Sequence, residues 1–134
     1  MSLSNTTETA ALDCFLRGTD PSYRAGATQY VALFTADPTD TASLAAEADF
    51  TGYSRKALTK ASAWTGTSSP FTNAGLIQFD PCTAGTNAIT HFAIVDTASG
   101  AVAMMISGAL SATLNVSAGI QPQFAIGALS VSAE

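Results

Sequence analysis

The chain has one histidine, His91, so any nucleophile activated by an imidazole base would have to use it. In the stretch "THFAIVDT", residues 90 to 97, strict alternation puts His91 on one side with Ala93 and Val95 and puts Asp96 on the other. A Ser-His-Asp arrangement would therefore have to be assembled from distant segments. A lone histidine on a strand reads more simply as a surface or hydrogen-bonded structural residue. Carboxylates are more concentrated: Asp37, Asp40, Glu47 and Asp49 fall in one segment, followed by the aromatic Phe50 and Tyr53. Two carboxylates flanking a sugar could cleave a glycosidic bond. Oxygen ligands could also hold calcium, but this spacing follows no calcium-loop order. The plain alternative is a loop that keeps its carboxylates in water.

Cys14 and Cys82 are too few for a disulfide framework, and with a single histidine they cannot supply the four ligands of a structural zinc site. Both read as small buried hydrophobes. No Gly-rich loop follows a strand and opens a helix, so nucleotide binding has no support. Asn5-Thr6-Thr7 and Asn115-Val116-Ser117 match the glycosylation sequon, yet "MSLSNTTE" lacks the charged and apolar regions of a secretory signal. The expectation is a protein with no catalytic residue, cofactor or metal.

The elements that would position these side chains follow from the pattern. At 134 residues the chain has the length of one domain. Charged residues make up 11%, against a typical share of about 25%. Ala, Thr, Ser and Gly take their place, and such a surface costs little to desolvate against copies of itself or a partner. The net charge of −5 and the small Arg55-Lys56-Lys60 cluster leave no cationic stripe, so nucleic acid is excluded as a partner. The apolar run "AVAMMISGAL" is about half a membrane span, so no membrane partner is expected.

A helix is expected over residues 1–18, opened by Asn5 and Glu8 as a capping box and closed at Gly18, with Leu12, Phe15 and Leu16 as its buried stripe. From residue 28 the period becomes two. Thr28 to Thr35 reads as a strand apolar on both faces, Tyr30, Ala32 and Phe34 against Val31 and Leu33, stopped by Asp37-Pro38. Residues 39 to 52 read as a polar connection, with a helical turn through Ala42 to Glu47, crossing between two sheets. Strands are expected at 53–59, 76–79, 90–97, 101–110, 113–117, 121–126 and 128–132. On the first of these, Tyr53 and Arg55 share a face, where the ring could lie under the guanidinium. In 101–110, Val102, Met104, Ile106 and Leu110 share a face. Regular short strands without interleaved helices indicate a mainly β fold: a single antiparallel β-sandwich, jelly-roll-like, of seven to nine strands over residues 28–134, preceded by the N-terminal helix.

Read in order, "ALDCFLRGT", "YVALFTADPTD", "GYSRKALT", "TNAGLIQFD", "ITHFAIVDTASG" and "SGALSATLNVSAGIQPQFAIGALSVS" resemble a family of small virion structural proteins of tailed bacteriophages, described as capsid decoration (cement), tail or tail-fibre proteins. The resemblance runs from about residue 3 to 132. It departs from the family in the Ala-rich stretch Ala42 to Phe50 and in "ASGAVAMMISGAL", with its Met-Met pair. The resemblance implies a non-enzymatic virion component, made in the bacterial host cytoplasm, and carries no catalytic motif.

Two structural roles follow. As a capsid decoration protein, the chain would form homo-oligomers, trimers, that tie the major capsid protein or other virion proteins together, with Leu12, Phe15 and Leu16 on the helix. As a tail-fibre or receptor-binding module, loops 39–52 and 62–75 at one end would meet a host glycan or protein. Asp40, Glu47 and Phe50 would lie in the first loop, and Trp64 and Phe71 in the second would stack on sugar or plug the sandwich end. A glycan hydrolase is the remaining alternative.

Overall fold

In the computed structural model, which describes residues 2–103 and 105–132, a two-residue strand β1 (Ser2–Leu3) leads into helix α1 (Asn5–Arg17). The N-cap is Ser4, one residue before the expected Asn5. Its hydroxyl accepts from the Thr7 N–H at 3.4 Å and lies 2.9 Å from the Thr7 hydroxyl. Glu8 is thus one position too late for the capping box. The C-terminal end is as expected: Gly18 is left-handed with φ 69°, which a side chain would resist.

After a 3-10 turn (Ser22–Arg24) come β2 (Thr28–Phe34), β3 (Lys56–Thr59), a single helical turn α2 (Lys60–Ala63) and β4 (Trp64–Thr65). Then follow β5 (Phe71–Asn73), β6 (Ile77–Gln78), β7 (Asn87–Val95), β8 (Met105–Val116), β9 (Gln123–Phe124) and β10 (Ser130–Val131). The main sheet has the order β1-β8-β7-β2-β3, and smaller sheets pair β10-β5-β4 and β6-β9, every pair antiparallel. The mainly β, helix-preceded fold expected from the pattern is therefore observed. Several strands are only two residues long, too short to show alternation.

β2 lies between two cores. Val31 and Leu33 enter the larger core, where the main sheet meets Ile77 and Phe124 from the smaller β6-β9 sheet and Phe79 and Leu129 from the residues next to β6 and β10. Ala32 and Phe34 enter a second core on the opposite face with Ala93 and Val95. Among the described residues no sheet covers that second face; the segment after β2, together with Val102, does. β3 is the neighbour of β2, so the connection returns to the same sheet and is not the expected crossover between sheets. Thr35 donates to the Ala46 carbonyl at 2.8 Å and Ala48 donates to the Leu33 carbonyl at 2.8 Å. Pro38 is fully buried, and Ala42, Leu44 and Ala46 lie against Phe34 and Val95. Small apolar side chains let the backbone lie close to the sheet, which accounts for the Ala-rich composition. No helical turn forms over residues 42–47; Glu47 makes an isolated bridge to Phe34.

The two strands expected at 101–110 and 113–117 are one, β8. The break between them survives as an irregularity in pairing: β7 advances from Ile89 to His91 while β8 runs from Leu114 to Ala109. Val102 packs in the second core, whereas Ile106 and Leu110 pack on the larger one, so the expected shared face does not hold; Met104 lies outside the described residues. Asn73 is fully buried at the end of β5 and pins the C-terminal segment. Its amide donates to the carbonyls of Gly75 at 2.8 Å and Ala125 at 2.9 Å, and its Oδ1 accepts from the Leu129 N–H at 2.8 Å.

Candidate interaction surfaces

The carboxylates of the 37–49 segment each have a separate partner. Asp37 accepts from the Thr39 N–H at 2.8 Å, Asp40 from the Ser2 hydroxyl, and Asp49 from the Asn87 amide at 2.9 Å. Glu47 is the most committed. It accepts from Arg55 Nε at 2.7 Å, from Arg55 Nη2 at 2.8 Å and from the Tyr53 hydroxyl at 2.9 Å. Arg55 also donates to the carbonyls of Thr97 at 3.1 Å and Gly100 at 2.9 Å, tying three segments together. Tyr53 and Arg55 thus meet through a shared carboxylate. The Tyr53 ring stacks on Phe79 with centroids 6.3 Å apart, and its hydroxyl accepts from the Leu33 N–H at 3.1 Å. Burial is the main cause that pushes the Tyr53 hydroxyl far above its ordinary pKa, and the bonds to Glu47 raise that of Arg55. This arrangement fixes the loop to the sheet.

Phe50, expected at a binding loop, is buried in the larger core beside Tyr53. Asp40 is exposed, and its carbonyl accepts from the Asn5 N–H at 2.9 Å, so it anchors the start of α1. His91 is half-buried, its Nδ1 2.9 Å from the Thr90 hydroxyl. Cys82 is buried as expected and Cys14 half-buried.

The helix stripe is where the structure departs furthest from expectation. Leu12, Phe15 and Leu16 are 59%, 88% and 73% exposed. Thr7 is the buried residue of α1, with Ala10 and Cys14 half-buried on the same side. At about 100° per residue, that side is opposite the apolar stripe. The helix therefore lays its small face on its own domain and presents its apolar face to the surroundings. The spacing i, i+3, i+4 correctly showed that the three residues share a face; it could not show that the domain lies on the other side.

Trp64 and Phe71 are on β4 and β5, not in a loop. They form one wall of a groove of about 330 Å³ whose other wall is Ile94 and Ile106 of the main sheet, with Val131 and Gln29 completing it. The groove is the mouth between the two sheets at the start of β2. Tyr53 and Phe50 gather at the other end of β2, near Leu33, roughly 13 Å away along the strand. Gln29, which sequence reasoning passed over as an ordinary strand residue, is 8% exposed, and its Nε2 has no hydrogen-bond partner. A buried amide donor left unpaired is costly in a core and useful in a site.

Among the described residues no cluster of His, Cys, Asp or Glu could hold a metal ion, and no helix is long and apolar enough to cross a membrane. No curated protein matches the chain. A family match, in contrast, runs through the strands, the buried core and α1 alike, from residue 2 to residue 132. The chain belongs to the family described as Podophage GP4 fiber I protein gp80, a bacteriophage virion structural family.

Proposed function

We propose that the protein is a non-enzymatic fibre subunit of a tailed-phage particle, held to other virion subunits through the exposed face of α1. The observation that carries this reading is the stripe Leu12, Phe15 and Leu16: three large apolar side chains on one helical face, turned away from their own domain. Large contiguous apolar patches on a folded surface mark association sites. The fibre family to which the chain belongs supports the same reading. The commitment of Glu47 to Arg55 and Tyr53 favours a structural role for the one strongly bonded carboxylate over an acid-base role.

Capsid decoration is the second reading. The low charged share, 11%, favours it, because a small, weakly polar surface suits repeated contacts with a shell. There the protein would form homotrimers on the major capsid protein. Quantitative mass spectrometry of purified virions separates the two. A copy number matching the symmetry of the tail, with antibody label at the tail, is expected for the fibre subunit. Copies in simple ratio to the major capsid protein would transfer the chain to the shell. Absence from the particle would refute both.

A further inference from the structure

The N-terminal arm, residues 2–17, is fastened to the domain by polar contacts more than by packing. Neither core contains a residue before Tyr30. The side that α1 lays on the domain offers Thr7, Ala10 and Cys14, and Leu3 is the one large apolar side chain of the arm that is not exposed. Hydrophobic burial grows with the apolar area removed from water, so it holds the arm weakly. Hydrogen bonds do more. β1 pairs with Ile106 and Ser107 of β8 through two residues. The Asn5 N–H donates to the Asp40 carbonyl at 2.9 Å, and the Ser2 hydroxyl donates to the Asp40 carboxylate. We infer that the arm is a strap that opens from the domain as a unit, latched at Asp40 and hinged at residues 18–22, while the domain stays folded. The opening does not depend on what the apolar stripe of α1 meets.

Both the latch and the hinge are built into the chain. At the latch, Pro38 is fully buried and its carbonyl accepts from the Ser43 N–H at 2.9 Å, while the Ala42 N–H donates to the Thr39 carbonyl at 3.1 Å. Thr39 and Ala42 have φ 59° and 54°, a left-handed conformation that non-glycine residues keep only where their surroundings impose it. The turn thus presents Asp40 to the arm as a fixed feature of the domain. Beyond the hinge, the domain takes hold of the chain at Tyr23. Lys60 Nζ donates to the carbonyls of Tyr23 and Ala25, and the Lys60 N–H donates to that of Ala27 at 2.8 Å. Between these points the hydrogen bonds are local. Gly18 and Thr19 donate back to α1, and Asp20, Pro21 and Ser22 accept from Arg24 and Ala25. Such a segment can absorb a change of backbone angles without breaking a contact to either core.

The opened strap takes no side chain from either core. Its release is opposed mainly by a few hydrogen bonds of modest net worth, so it lies well below global unfolding in free energy. Once released, a helix of 13 residues is marginal by itself. Its amides then exchange in the same event as the amide of Asn5, whose bond to Asp40 lies outside the helix.

The test is amide hydrogen exchange of the full chain by NMR, over a urea series below the unfolding transition. The amides of Asn5 and of α1 from Glu8 to Arg17 are expected to exchange together. They should do so at least about tenfold faster than those of β2 and β7, and with a weaker dependence on urea. Asp40→Ala removes the acceptor of the Ser2 hydroxyl and should speed the arm amides by roughly tenfold, leaving β2 and β7 unchanged. Asp40→Asn keeps an acceptor oxygen there and should stay close to the wild type. Arm amides that share the rate and urea dependence of β2 would overturn the inference, because arm and domain would then be one cooperative unit. So would α1 amides that exchange fast while Asn5 stays as protected as β2, which would mean a helix fraying in place behind a closed latch. An Asp40→Ala variant that speeds β2 and the arm equally would overturn it as well.

Discussion

Removing Glu47 should do more damage than its position at the edge of a loop implies. In Glu47→Ala the Arg55 side chain, only 3% exposed, keeps its charge and loses both carboxylate contacts. The Tyr53 hydroxyl loses its acceptor in the same step. Breaking one side of a buried pair costs about 3–5 kcal/mol. Arg55 keeps the Thr97 and Gly100 carbonyls, and Glu47 itself is 17% exposed, so the lower end, about 3 kcal/mol, is expected. Arg55→Ala should cost about 2 kcal/mol, since water can reach the freed carboxylate while two carbonyls lose a donor. The double variant should be no less stable than Glu47→Ala alone, a coupling of about 2 kcal/mol. Urea unfolding followed by the single tryptophan, Trp64, measures all three, and Glu47→Ala should melt roughly 10 °C lower. If the double variant equals the sum of the singles within about 0.5 kcal/mol, the pair behaves as a surface ion pair and the reasoning fails.

Other outcomes follow from the same structure. Tyr53 has a folded pKa raised, mainly by burial, above its unfolded value of about 10. Its contribution is fully present below that pH and is lost as pH rises through it, at about 1.4 kcal/mol per pH unit. Tyr53→Phe should therefore show a shallower loss of stability on titration above pH 10, while being about 1 kcal/mol weaker at neutral pH. Asn73→Ala removes three hydrogen bonds at a fully buried site and should cost about 3 kcal/mol or more, with amide exchange accelerated first at Leu129. Gly52 has φ 100°, and a Cβ there would stand 2.5 Å from the Pro81 carbonyl oxygen. Gly52→Ala should thus lower the unfolding midpoint by the equivalent of about 2 kcal/mol, and an unchanged midpoint would show that the 50–52 turn relaxes freely.

What could be read from the chain and what could not divide along physical lines. β2 was legible because both of its faces are apolar and the Asp37-Pro38 stop is local. Gly18 was legible for the same reason, a local rule acting on a few residues. The segment after β2 was misread because its polarity in sequence suggested solvent, while Pro38, Ala48 and Phe50 in it are buried. Covering the second face of the sheet is a demand set by the whole fold, invisible in any window of the chain. The same limit applies to α1. Periodicity reports a shared face, not the direction of the core. Gln29 carried no signal at all, since its distinction lies in the absence of a partner.

The borders of the main sheet bear on assembly in a different way. β1 pairs through only two residues, and β3 is four residues long, bounded by Lys56 and ended by the turn that starts at Lys60. Borders that short, the β3 one also flanked by lysines, give another chain little to extend by backbone pairing. Short borders of this kind disfavour the templated strand stacking that leads to amyloid. A protein built into a particle can tolerate an exposed apolar helix more safely when the borders of its main sheet offer a neighbour so little.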